Sequence, residues 1–287
     1  MSRVDVRKTH KLFIGGAFPR SESGRTYEVT DSKEQFLANM ALASRKDARD
    51  AVLAARSAVA KWSAATAYNR GQVLYRIAEV MEGRREQFIS EVSDSEGVSS
   101  RKAGAHVDAA IDRWVWYAGW ADKYAQVIGN TNPVAGPFFN FSVPEPTGVV
   151  AAVAPQDASI LGLVSVIAPI IVTGNAVIVM PSSSRPIPAI TLAECLATSD
   201  VPAGVVNILT GAPAEVMPWL AEHADVNALD LTGIVDEGVA TDLERSAAGT
   251  VKRVRGAAPH ADWQATPSLS RMRAFVEGKT VWHPMGV

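Results

Sequence analysis

The sequence predicts an α/β fold. A parallel sheet of five strands is flanked by helices, preceded by further N-terminal helices, and carries two extended strands that protrude from the body. Three observations lead there. Five strand-like segments, at 148–153, 175–180, 205–209, 226–231 and 251–254, recur between stretches of helix length, the first two of them continuously apolar. Their apolar residues run on without polar alternation, as in strands covered on both faces. The N-terminal part has the i, i+3, i+4, i+7 spacing of helices with one buried face.

Taken in order, Lys11 to Gly16 and Arg25 to Thr30 read as two short strands around a Gly/Pro/Ser turn. Ser44 with Asp47 forms a capping box, and Ala48, Ala51, Val52, Ala55, Val59 and Trp62 follow as one helical face. Val73, Leu74, Ile77 and Met81 mark a second helix, Phe88, Ile89 and Val92 a third, and Val107, Ala110, Ile111, Trp114 and Ala118 a fourth. At helical spacing Trp114 and Tyr117 share one face, and Trp116 and Trp120 another, which reads as core plus subunit contact. Residues 138–143 alternate as an extended strand bounded by prolines, an edge suited to pairing. Ala158 to Met180 is nearly all apolar, but Pro169 and the turn at Thr173-Gly174-Asn175 divide it. It is therefore a helix, a turn and a buried strand, not a membrane span. Each strand-helix-strand crossover is expected to be right-handed.

Composition narrows the function. With 287 residues, 47% of them hydrophobic, the chain can bury a full core. A net charge of -2 with scattered basic residues argues against nucleic acid as a partner, and no membrane partner is expected. A single cysteine suits a reducing compartment, and the N-terminal residues have no apolar signal core, so a cytoplasmic chain is expected. The five histidines lack metal-ligand spacing, so no metal site is expected.

Several strings resemble the aldehyde dehydrogenase superfamily. Glu145-Pro146-Thr147-Gly148-Val149-Val150 is similar to the start of its cofactor domain, and Gly174-Asn175-Ala176-Val177-Ile178-Val179 to the second strand. Val201 to Gly211, Thr232-Gly233 with Gly238, and Val251 to Val254 follow in family order. Phe275 to Trp282 resembles the family's C-terminal oligomerisation strand. The resemblance implies a Rossmann-like sheet and four regions: N-terminal strands and helices (1–124), an extended oligomerisation arm (125–147), a degenerate NAD-binding domain (148–256), and a linker with the oligomerisation strand (257–287).

Measured against that family, the chemistry is missing. Residues 255–270 sit where the family inserts its catalytic domain. Cys195 lies instead in an apolar helical run and reads as buried core, so no placed thiolate is expected. The family's oxyanion-binding asparagine is replaced by Asp157, which as a carboxylate has no N–H to donate and reads as a helix N-cap before Ala158. After Pro155, the string Met180-Pro181-Ser182-Ser183 replaces the lysine and glutamate that the family uses on the adenosine ribose. Each charge-assisted bond lost costs about 1.5–3 kcal/mol, so affinity falls by roughly two to four powers of ten. Ser182 to Arg185 reads as a cap before a helix at Pro186. In Thr232-Gly233-Ile234, an isoleucine stands where the family has a serine near the pyrophosphate.

The resemblance thus implies a non-catalytic subunit, similar to the degenerate second module of two-module aldehyde dehydrogenases. Its interface residues would be Phe139, Phe141, Lys279, Thr280, Val281 and Trp282. The tail strand has no evident acceptor in its own chain, so a full-length aldehyde dehydrogenase subunit is the expected partner, or else a second copy. No cofactor is expected. The alternatives are a residual NAD or NADP binder acting as a sensor, and an NAD(P)-dependent aldehyde dehydrogenase by family analogy.

Overall fold

The computed structural model describes residues 7–286. Three strands open it: β1 (Thr9–His10), β2 (Thr26–Thr30) and β3 (Phe36–Ala41), in the order β1-β3-β2. The strand expected at Lys11 to Gly16 is not formed. Phe13 makes only an isolated bridge to Ile208, and Ile14 turns back on Ala17. β3 lacks β-branched residues and was not foreseen. It is set by the turn before it, where the Asp31 carboxylate accepts the N–H groups of Lys33 and Gln35 at 2.8 Å each.

Helix α1 (Arg45–Ala64) begins at the predicted capping box. The Asp47 carboxylate accepts the Ser44 N–H at 2.7 Å and also holds the Ser21 hydroxyl, tying the helix start to the first turn. Then come α2 (Ala67–Glu82), α3 (Arg85–Glu96), α4 (Ser100–Trp120) and the short α5 (Tyr124–Ile128). Trp114 and Tyr117 are buried and Trp116 and Trp120 half-buried, the two faces that the spacing gives.

The remaining elements are β4 (Asn130–Asn132), β5 (Phe138–Pro146), β6 (Val149–Val153), α6 (Leu161–Val172), β7 (Ala176–Met180), α7 (Ile187–Ala197), β8 (Val206–Ile208), α8 (Pro213–Glu222), β9 (Ala228–Asp230), α9 (Glu237–Ala248), β10 (Arg253–Arg255), α10 (Ser270–Arg273) and β11 (Val276–Pro284). The central sheet is wholly parallel, in the order β10-β9-β6-β7-β8. Its strands feed two cores. Val150, Ala152, Val177 and Val179 face one cluster. Val149, Ala151, Val153, Ala176, Ile178 and Met180 face the other. This two-sided burial is why β6 and β7 read as unbroken apolar runs. Every residue of α6 is buried. Gly174, at φ +95°, makes the tight return from α6 to β7 that other residues resist. No helix of the described residues is long and apolar enough to cross a membrane.

Two expectations about the tail are corrected. The arm and the tail are not separate protrusions, and the tail has an acceptor in its own chain. β11 pairs antiparallel with β5 along its whole length, and β4 lies on the other side of β5. The pairing is specific: Lys279 reaches Glu145 at 3.0 Å, the Ser142 and Thr280 hydroxyls meet at 2.8 Å, and Trp282 packs edge-on against Phe138. The outer edge of β11 is unpaired among the described residues.

Residues 257–275, expected as a linker, form a strap packed on the body. Trp263, Arg271, Met272 and Phe275 in it are buried. The Phe275 carbonyl accepts from Asn175 Nδ2 at 2.8 Å and from the Thr147 N–H at 3.2 Å.

His10 gives a test of the N-terminal packing. Burial lowers its pKa from 6.5 to about 4, helped by Lys8 and opposed by Glu194. Between these values the unfolded chain binds a proton that the folded chain refuses. Stability is therefore complete above about pH 6.5 and declines toward pH 4, by up to about 3 kcal/mol at 1.4 kcal/mol per unit. Urea unfolding of His10→Gln should show a shallower acid decline than the parent. Equal slopes would contradict the placement of His10.

Candidate functional site

In an open parallel sheet a ligand crevice forms beyond the carboxyl ends of the strands, where the strand order reverses. Here that point lies between β6 and β9. The loops that meet there carry Pro155 to Asp157, Pro181 to Ser183, and Thr232 to Ile234.

The structure brings these loops together but commits their polar groups to one another. Gln156 is the tie, and its role carries no signal in the sequence. Its side-chain N–H donates to the Ala154 carbonyl at 2.8 Å. Its Oε1 accepts from the Ser183 N–H at 3.0 Å and the Ser183 hydroxyl at 2.9 Å. The Ser182 hydroxyl donates to the Gln156 carbonyl at 2.8 Å. Met180 is fully buried in the same apolar cluster as Ile234, and Pro155 and Pro181 are buried as well. Asp157 is exposed and does not cap α6, which corrects the N-cap expectation. The reason is Ser159, whose N–H and hydroxyl both donate to the Glu96 carboxylate, at 2.8 and 2.7 Å, so the helix starts only at Leu161.

The turn after β9 is closed in the same way. The Gly233 N–H donates to the Val153 carbonyl at 2.9 Å, and the Ile234 N–H to the Leu231 carbonyl at 2.9 Å. A Cβ at Gly233 would collide with the Ala154 carbonyl, so the turn sits tight on β6. Ile234 is buried in the core. Asp236 caps α9 by accepting the Val239 N–H at 3.0 Å. A pyrophosphate needs free N–H groups at such a turn. Those of Gly233 and Ile234 are already bonded to backbone carbonyls.

Beside this turn lies a buried ionic cluster. Asp230, at the end of β9, is fully buried, and its only sequence signal is a carboxylate within Ala228-Leu229-Asp230-Leu231. It accepts from the Thr232 N–H at 3.0 Å and from the Thr232 hydroxyl. Arg271, on α10, donates to Asp230 Oδ2 at 3.2 Å and to the Thr232 hydroxyl at 3.2 Å. Its guanidinium lies 4.9 Å from the centre of the Trp263 ring. Arg113, on α4, donates to the Ser165 hydroxyl at 2.7 Å and to the carbonyls of Trp263 and Ala265 at 2.8 and 3.0 Å. Burial holds both arginines below the usual guanidinium range.

No nucleophile faces the crevice from the one cysteine. Cys195 is buried in α7, and burial pushes its thiol up to about 11, against the pull of Arg84. A thiol so held is inert. Among the described residues no group of three or more metal-ligating side chains converges.

Of the interface residues, Phe139, Lys279, Thr280 and Trp282 are exposed, and Phe141 and Val281 half-buried. The register places Phe139, Phe141, Lys279 and Val281 on one face of the small sheet and Thr280 and Trp282 on the other.

Comparison with known proteins follows the same outline. The pattern of the Aldehyde dehydrogenase family matches residues 18–256. Cytosolic 10-formyltetrahydrofolate dehydrogenase of Pongo abelii is 32% identical over 246 residues, which is 83% of this chain and 27% of that protein. Aldehyde dehydrogenase, cytosolic 1 of Elephantulus edwardii is 31% identical over 88% of this chain and 51% of its own length. An aldehyde dehydrogenase from Bacillus cereus, solved as an NAD+ complex, superposes with a TM-score of 0.81 at 27% identity, covering 86% of this chain and 50% of that one. The chain spans about half the length, or less, of the relatives it matches.

The ionic cluster yields a prediction. Asp230→Ala leaves Arg271 buried without a counter-charge and should cost about 3–5 kcal/mol in urea unfolding. Adding Arg271→Met to Asp230→Leu should recover most of the loss. If Asp230→Ala costs less than about 1 kcal/mol, the pair does not hold the strap.

Proposed function

Because the chain belongs to the aldehyde dehydrogenase family, we propose that it acts as a non-catalytic subunit that associates with a full-length aldehyde dehydrogenase. The observation that carries this reading is the strap. Where a catalytic lobe would be inserted after β10, residues 257–275 instead fold over the body and lead directly into β11. The inert Cys195 and the self-bonded crevice agree with it. Cytoplasmic residence belongs to the same reading and is supported by relatives named as cytosolic.

Docking takes place at the small sheet. Since β5 already holds one side of β11, the partner engages the outer edge. That edge is nine residues long and can extend a neighbouring sheet by strand addition. Phe139 and Trp282, exposed on opposite faces, would be covered by the flanks of the contact. An exposed edge of this length is otherwise an aggregation hazard.

A second reading, residual NAD or NADP binding, is favoured by the match to a protein solved with NAD+. Two measurements separate the readings. The native mass of the chain purified from its own cell should be that of a complex containing a full-length aldehyde dehydrogenase. A chain that stays alone at micromolar concentration with that enzyme present contradicts the subunit reading. Calorimetry with NAD and NADP should give no heat at millimolar ligand, and saturable heat would favour the nucleotide binder instead.

A further inference from the structure

The seam between strap and body holds more positive charge than it neutralises. Arg113 and Arg271 are buried, and Arg255, at the end of β10, is half-buried. Arg113 bonds the Trp263 carbonyl, Arg271 lies over the Trp263 ring and binds Asp230, and Arg255 stands in register beside Asp230 on the neighbouring strand. Asp230 is the buried carboxylate that faces them. Asp262 acts on Arg113, and Glu244 lies at the rim beside Gly256, but both are exposed, where solvent screens them.

The donors are unsatisfied as well. Arg113 Nε, Arg255 Nε and Trp263 Nε1 are all buried with no acceptor. Buried N–H groups are almost always paired, and an unpaired one costs about 1–3 kcal/mol. Three along one seam, within an excess of guanidinium charge, mark a place for a group that is all acceptor and negative. The chain at Gly256 and Ala257 is exposed, so the seam opens to solvent beside Arg255.

We propose that this seam binds a small oxyanion, a phosphate or carboxylate group, anchored by Arg255 and held in the field of Arg113 and Arg271. The guanidinium fork suits such a group, because two parallel N–H donors match two oxygens of either anion. The site is distinct from the closed turn at Thr232 to Ile234 and does not depend on the subunit reading. Arg113 and Arg271 have structural partners already, whereas Arg255 is the arginine nearest the opening and is free to hold a ligand.

Binding is tested on the full chain by thermal unfolding and calorimetry, with inorganic phosphate and with succinate. Chloride at matched ionic strength is the control. At least one of the two anions should raise Tm saturably, since it binds the folded state alone. The arm that responds identifies the group. Arg255→Gln should weaken that binding about tenfold to a hundredfold, the effect of one lost charge-assisted contact. In chloride alone Arg255→Gln should melt within about 2 °C of the parent, as a half-exposed position allows. Arg255→Lys should retain part of the affinity, and Arg20→Gln, at an exposed position before β2, all of it. If neither anion exceeds chloride, or if Arg255→Gln responds like the parent, the proposal is overturned.

Discussion

A carboxylate at the end of a strand covered on both faces has to be neutralised, and Asp230 is neutralised by Arg271 on the strap. That requirement organises the carboxyl end of the sheet. It brings α10 against the body and holds Thr232 between the two charges. It also lays Trp263 under the guanidinium. Arg113 then grips the strap from α4 through two backbone carbonyls. Neither interaction is worth much as bare Coulomb energy, because desolvation offsets it. Their effect is conformational: a strap placed anywhere else would leave a buried charge alone.

The closed crevice follows from the same packing. Thr232 is engaged by Asp230 and Arg271, Gly233 is pressed onto Ala154, and Ile234 fills core space instead of presenting a hydroxyl. On the neighbouring loop, Gln156 takes up the serine donors. A site that satisfies its own polar groups gains nothing from a ligand that must displace them. What the chain retains intact is the small sheet of β11, β5 and β4, whose long outer edge on β11 is unpaired among the described residues. This contrast between a closed pocket and an open edge is what favours a subunit over an enzyme.

β6 and β7 were legible because burial on both faces writes itself as unbroken apolar runs, and α1 because a capping box is local. What escaped is long-range or lacks a local pattern. β3 carries helix-forming residues and owes its extension to pairing with β2. The tail's acceptor lies 138 residues away at the Ser142–Thr280 contact, beyond any periodicity. The strap reads as a loop because its buried residues, Trp263, Arg271, Met272 and Phe275, are spaced irregularly. Pro155, Ser182, Ser183, Thr232 and Gly233 lie on the loops beyond the strand ends, whereas Gln156 and Asp230 gave no sign of their roles. Asp157 failed as a cap because Glu96, on a distant helix, already serves the local N–H group.

The central claim is that residues 257–275 are a folded part of the body and stand in the place of a second lobe. Amide hydrogen exchange across the strap tests it most directly. The N–H of Ala258 is bonded to the Thr232 carbonyl, and those of Arg273, Ala274 and Phe275 to carbonyls of the α10 turn. These four amides should exchange with protection comparable to that of β9. Exchange at the rate of an unstructured chain, with β9 still protected, would contradict it.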